Sequence, residues 1–280
     1  MKTYLDCYPC LMRQALSASR RARASEALQK EVLINVMEQL QHLPSETTPA
    51  EMAYKIHRVV QDKTTIEDPY KKAKKQATQE ALSLYPELKK KLDAVTDRLE
   101  MAVRIAIAGN IIDLGVSESY DIHATLSRVL TQPFAINDLS LLRKVLSESS
   151  SVLFLADNAG ETVFDRVLIE ELNMPVTYVV KAAPIINDAT YEDAEAAGIN
   201  QVAEIIDNGS QAPGTILEQC SQSFIQRFEQ ADLILAKGQA NYESLSDNSA
   251  PIFFLLQAKC NVIARDLGVH QTDIVLKYRD

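Results

Sequence analysis

Through the first hundred residues, apolar positions recur at helical spacing. Leu28, Val32, Val36 and Leu40 fall four apart and share one face of a helix. The same reading predicts helices over 7–24 and 25–43, then a third over about 50–61 after the Thr-Thr-Pro stretch at 47–49. Asp68-Pro69 resembles a helix start, with proline near the first helical position. Two more helices follow over 71–84 and 87–108, separated at Pro86. From about residue 150 the pattern changes. Short apolar runs at 151–156, 176–180, 201–206, 233–236, 252–255 and 274–276 alternate with helical stretches near 162–172, 190–196, 215–229, 241–246 and 260–267. Such alternation predicts a mostly parallel sheet with helices on both faces, an α/β class. The expected organisation is a helical unit over 1–110 and an α/β unit over 111–280. The boundary falls somewhere in 110–150, because helices near 121–130 and 137–148 can pack on either unit.

Composition fits this picture. At 280 residues and 46% apolar the chain can bury a sizeable core, and only 8 Gly and no Trp accompany abundant helix formers. The net charge is −9, from 29 basic and 38 acidic side chains, which opposes binding to nucleic acid or to an anionic membrane. Two lysine clusters, Lys71, Lys72, Lys74, Lys75 and Lys89 to Lys91, lie in helical sequence without interleaved aromatics and read as solvated faces. The opening MKTYLDCYPC lacks the basic-then-apolar order of a secretory signal, and no apolar run approaches the ~20 residues that span a bilayer. A cytoplasmic location is expected. Cys7 and Cys10 form a C-x-x-C with no second copy, so a four-cysteine zinc site is not completed. In a reducing compartment a redox pair, a second metal site with Cys260, or plain helix packing all stay open for them.

Ligands of an open parallel sheet bind outside the carboxyl ends of its strands. Those ends are unusually polar here. Asp157-Asn158-Ala159-Gly160-Glu161 follows the first run, and Lys181 with Asn187-Asp188 follows the second. Lys237-Gly238 leads into Asn241, and Gln257-Ala258-Lys259-Cys260 closes another run. Asp157, Asn158 and Asp188 offer only hard oxygens, which suit Mg²⁺ or Mn²⁺. Lys181 and Lys237 can hold phosphate oxygens, and Gly160 and Gly238 let backbone N–H groups approach an anion. The bland reading is that these Asp and Asn residues only cap helices. Other templates are missing. No G-x-G-x-x-G, G-x-x-x-x-G-K-[ST] or G-x-S-x-G occurs, and His42, His57, His123 and His270 have no metal-ligand spacing.

At these residues the chain resembles the damage-control phosphatases, long known as domain-of-unknown-function 89. The resemblance rests on CYPC near the start, DPYK at 68–71, GNIIDLG at 109–115, DNAGE with Asp165, KAAPIINDAT with Asp193, KGQANYESL at 237–245 and FFLLQAKC at 253–260, in that order. The N-terminal C-x-x-C is similar to the stand-alone archaeal and bacterial subgroup. The resemblance implies a helical N-terminal domain and a Rossmann-like α/β/α domain. It also implies a phosphatase that uses a divalent metal (Mn, Co, Ni or Mg) on small phosphorylated metabolites such as damaged or surplus sugar phosphates. Carried over by motif, Asp157, Asn158 and Asp188 bind the metal, and Lys237 contacts phosphate with Asn241 lining the site. Asn110 and Asp113 fall near the same pocket, and Glu161 is either part of the site or a helix cap.

For the attacking group, water on the metal and Asp157 itself are both expectations. Water is preferred, because no D-x-D pair supplies a neighbouring general acid. The alternatives from other classes are a transferase using the same rim and a non-catalytic, metal-dependent phosphometabolite-binding protein. The expected partner is a small phosphorylated metabolite, not nucleic acid or membrane, and homo-oligomeric assembly stays open. Substrate choice is expected to lie in the helical unit and in the loop at 207–214.

Overall fold

The computed structural model describes residues 1–44, 46–109 and 122–279. Asn110, Asp113 and most of the GNIIDLG motif lie outside the described residues. Three helices come first, α1 (Cys7–Arg21), α2 (Glu26–Gln41) and α3 (Pro49–Thr64). Ser25 caps α2 by accepting from Leu28 N, and Thr48 and Glu51 close a reciprocal capping box on α3, with Pro49 at its first position. Their facing sides bury Leu11, Val32, Val36, Ile56 and Val60 in a cluster of their own.

Helices α4 (Lys71–Asp93) and α5 (Arg98–Ala108) follow. Helix α4 runs straight through Pro86, where the sequence predicts a break. Leu84, Leu88 and Leu92 form one unbroken buried stripe across the proline, and burial of that stripe outweighs the one backbone hydrogen bond the proline removes. The break falls instead before Arg98, where the Asp97 side chain accepts from Glu100 N at 3.1 Å. Next come α6 (Ile122–Thr131), β1 (Phe134–Asn137), α7 (Leu139–Glu148), β2 (Val152–Leu155), α8 (Thr162–Leu172), β3 (Val176–Val180), α9 (Tyr191–Ala196) and β4 (Glu204–Asp207). The chain closes with α10 (Gln222–Glu229), β5 (Ile234–Lys237), α11 (Gly238–Leu245), β6 (Ile252–Gln257), α12 (Asn261–Leu267) and β7 (Ile274–Tyr278).

The seven strands form one sheet in the order β1-β7-β6-β5-β2-β3-β4, parallel throughout except for the antiparallel β6–β7 pair. Side chains alternate faces along each strand. Phe154, Tyr178, Leu235, Phe253 and Leu276 join α4, α5 and α8 in one apolar cluster. Leu153, Leu155, Val179, Ile234, Phe254 and Val275 join the helices on the other side. The fold is therefore α/β with a mostly parallel sheet covered on both faces. Helices α4 and α5 share the sheet's core, whereas α1–α3 enclose theirs separately. Among the described residues no helix is long and apolar enough to cross a membrane.

Strand order reverses between β2 and β5. The chain goes from β2 outward to β3 and β4 on one side, and from β5 to β6 on the other. That switch opens a crevice at the carboxyl ends of the two central strands, where doubly wound sheets bind their ligands. Helices α1 and α3 line it from above. Helix α3 packs on α11, and the Gln61 amide donates to the Pro184 carbonyl at 3.1 Å. Buried Lys74 of α4 pairs with Asp68 at 3.2 Å and with Asp193 of α9 at 2.8 Å, tying the preceding linker to the sheet edge.

Candidate active site

Beyond β2 and β3 the chain stays paired for a few residues. Ala189 N donates to Asp157 O and Ala159 N to Asn187 O, both at 2.8 Å, and Asn158 and Asp188 form an antiparallel bridge. A second bridge, Lys181 to Thr190, closes the base of the second loop. This backbone lacing brings Asp157, Asn158 and Asp188 together. All three are buried and all three line one cavity of about 910 Å³. Burial first, then the neighbouring Glu161 and Asp188 charges, hold the Asp157 carboxyl well above its ordinary value.

The Asn158 amide nitrogen donates to Asp157 Oδ2 at 3.1 Å and to Glu161 Oε1 at 2.7 Å, which leaves its Oδ1 as the oxygen to offer a cation. Gly238 closes over the Asp157 carboxylate. Its φ is +79°, and a Cβ there would overlap Asp157 Oδ2, so this turn from β5 into α11 requires glycine.

Under this set lies a second polar group that never reaches the cavity. The Lys237 ammonium, fully buried, donates to Glu161 Oε2 at 3.0 Å and to Asp165 Oδ1 at 2.6 Å, and the Tyr178 hydroxyl donates to Asp165 Oδ2 at 2.7 Å. Burial works against the Lys237 charge, but Asp165 and Glu161 more than offset it and hold its pKa above the usual lysine value. Burial likewise pushes Asp165 up to about 6, with Lys237 pulling the other way. Glu161 stands at the N-cap position of α8, but its side chain makes no capping bond there and instead links Lys237 to Asn158.

Several residues singled out from sequence therefore sit elsewhere than a phosphate-binding rim. Lys237 belongs to the floor. Lys181 donates to the Gly214 carbonyl and lies 3.7 Å from Asp188 Oδ2, also off the cavity wall. Asn241 is fully engaged: its amide donates to Ala156 O at 3.0 Å and Lys237 O at 2.8 Å, and it accepts from Thr215 Oγ1 at 2.8 Å. It pins the ends of the two central strands together. Gly160 is buried in the short 3-10 turn between Asn158 and α8.

The cavity wall carries other polar groups. Among them are Arg13 and Gln14 of α1, Gln239 and Glu243 of α11, and Lys259 and Cys260 where β6 runs into α12. Lys259 stands among the polar strand-end residues of the sequence but receives no role there. It lines the cavity, and its charge, like that of Lys237, lowers the Asp157 pKa. Its signal was its place just past a predicted strand end, four residues beyond 255, in the same motif as Cys260. Cys7 and Cys10 line this cavity too, so Cys260 meets them from the far end of the chain. Burial, chiefly, raises the Cys7 thiol pKa. Among the described residues no three His, Cys, Asp or Glu side chains converge as a metal-holding group; the oxygen set is two carboxylates and one amide.

The geometry is matched by known proteins. A family model described as the damage-control phosphatase ARMT1-like domain matches residues 3–275. A damage-control phosphatase of Archaeoglobus fulgidus is 36% identical over 287 residues, covering 99% of each chain. The damage-control phosphatase PH1575 of Pyrococcus horikoshii is 32% identical, covering 98% of this chain and 97% of its own. Its crystal structure, described as that of a duf89 family protein, superposes over all of both chains with a TM-score of 0.91 at 29% identity. With nearly its whole length accounted for by one family model and by full-length relatives, this chain belongs to the ARMT1-like damage-control phosphatase family.

Proposed function

We propose that this protein is a divalent-metal-dependent phosphatase acting on small phosphorylated metabolites, sugar phosphates among them. The observation that carries this reading is the convergence of Asp157, Asn158 and Asp188 on one cavity at the switch point of the sheet. The relatives named damage-control phosphatases support the activity. The donor set fits Mn²⁺, Co²⁺, Ni²⁺ or Mg²⁺: hard oxygens only, few of them, with carboxylates crowded out of water. Asp157, Asn158 and Asp188 would hold the cation, which supplies positive charge to the phosphoryl oxygens.

The remaining roles belong to the chain itself. Lys259, on the cavity wall, takes the phosphate contact that sequence reading gave to Lys237 and Lys181. Lys237 instead fixes Glu161, and Glu161 orients the Asn158 amide. Asp157 is held by Asn158 and covered by Gly238, which suits a ligand better than a nucleophile that must swing to phosphorus. Water is therefore the attacking group in this reading. A cytoplasmic enzyme without nucleic-acid or membrane partners fits the acidic charge, and the C-x-x-C supports the stand-alone archaeal and bacterial subgroup.

Phosphate release from p-nitrophenyl phosphate and a panel of sugar phosphates tests the proposal. Turnover is expected with added Mn²⁺ or Mg²⁺, none after chelation, and none in Asp157→Ala. Full activity in that variant would reject the assignment, and tight ligand binding without turnover would make the protein a binder.

A further inference from the structure

Four acids line the cavity. Asp157 and Asp188 belong to the proposed metal set, and Asp6 is exposed at the mouth, 3.7 Å from Arg265. The fourth, Glu243, is 9% exposed and has no part in the scheme above. Its place is set by α11. That helix starts at Gly238, hard against the Asp157 carboxylate, and turns Gln239, Ala240 and Glu243 to the cavity. Five residues of helix put Glu243 about 7.5 Å further along the axis, and helical side chains lean back toward the N-terminus. The lean is visible here, because Glu243 Oε1 accepts from the Gln239 amide one turn earlier, at 2.9 Å. The carboxyl is therefore drawn back along α11, toward the end of the helix that meets Asp157.

We propose that Glu243 is the general acid that protonates the leaving alcohol of the phosphate ester. This rests on the phosphatase reading. Water adds to phosphorus, the ester P–O bond breaks, and its electron pair goes to the alcohol oxygen, which takes the Glu243 proton. The attacking water keeps one proton on the released phosphate and loses the other to solvent, from which Glu243 is reprotonated. The surroundings suit a proton donor at neutral pH. Burial pushes the Glu243 acid up to about 7, against the Gln239 hydrogen bond and the charge of the Met1 ammonium, with Asp266 of α12 adding to the rise. The Met1 ammonium bonds the Glu243 backbone carbonyl at 3.2 Å rather than its carboxyl, and the Cys7 thiol lies close enough to feel the Glu243 charge.

The test compares esters by how much their leaving groups need a proton. p-Nitrophenolate leaves without one, whereas the alkoxide of 2-glycerol phosphate does not. Glu243→Gln should lower kcat/KM for 2-glycerol phosphate by about a hundredfold or more, and for p-nitrophenyl phosphate by less than about tenfold. In the wild type, the alkyl ester rate should fall as pH rises past about 7, while the aryl rate holds. That profile decides alone if the variant does not fold. Equal loss on both esters, or no loss, overturns the role of Glu243 and leaves the phosphatase reading standing. A wild type that hydrolyses neither ester with any metal sinks that reading, and this inference with it.

Discussion

The carboxyl edge of the sheet holds two polar groups one layer apart, and they differ in what satisfies them. The upper one, Asp157, Asn158 and Asp188, gathers buried oxygens around an open cavity. The lower one, Lys237, Glu161, Asp165 and Tyr178, closes on itself with a cation between two carboxylates. The first is built to receive something. The second is complete and holds the first in shape through the Glu161–Asn158 hydrogen bond. A lysine two residues beyond one strand, Lys259, belongs to the cavity, while one that ends the neighbouring strand, Lys237, belongs to the floor. Chemistry at a strand end is thus decided by which way the next turn faces.

Exchanging the two lysines for methionine should separate these layers. Lys237→Met leaves Glu161 and Asp165 buried without their cation and should cost about 3–5 kcal/mol in urea unfolding. Lys259→Met should move stability by less than about 0.5 kcal/mol yet lower phosphatase kcat/KM. Similar destabilisation by both would erase the distinction between floor and wall.

A smaller effect sharpens the comparison from the helical side. His57 of α3 lies behind the cavity wall, 3.3 Å from the Gln14 amide oxygen, and burial pushes it down to about 4 from an ordinary 6.5. Between those values the unfolded chain binds a proton that the folded chain refuses. Its contribution is therefore full above pH 6.5 and is lost as pH falls toward 4, roughly 3 kcal/mol in all. Urea unfolding at pH 7 and pH 4.5 should show that loss in the wild type and a flatter response in His57→Gln.

Much of this was legible in the chain itself. Leu28, Val32, Val36 and Leu40 announced α2, and the apolar runs at 176–180 and 252–255 announced the interior strands β3 and β6, because burial on both faces leaves little polar signal to confuse them. Strand β1 was missed, since four residues after Pro133 at the sheet edge bury only alternate side chains partway. The Pro86 break was misplaced because a local rule yielded to a leucine stripe. At the site, the motif order brought Asp157, Asn158 and Asp188 forward together. It gave no hint that Lys237 turns inward or that Asn241 is consumed by the backbone. Those depend on contacts between residues far apart in sequence, which no spacing encodes.

The central claim is that the two laced loops form one cation site. Calorimetric titration of the metal-stripped protein with Mn²⁺ addresses it without relying on turnover. One site per chain is expected in the wild type, with binding weakened at least a hundredfold in Asp188→Ala, beyond the 10–100-fold typical of losing an outer partner. Undiminished binding in that variant, or no binding in the wild type, would contradict the account.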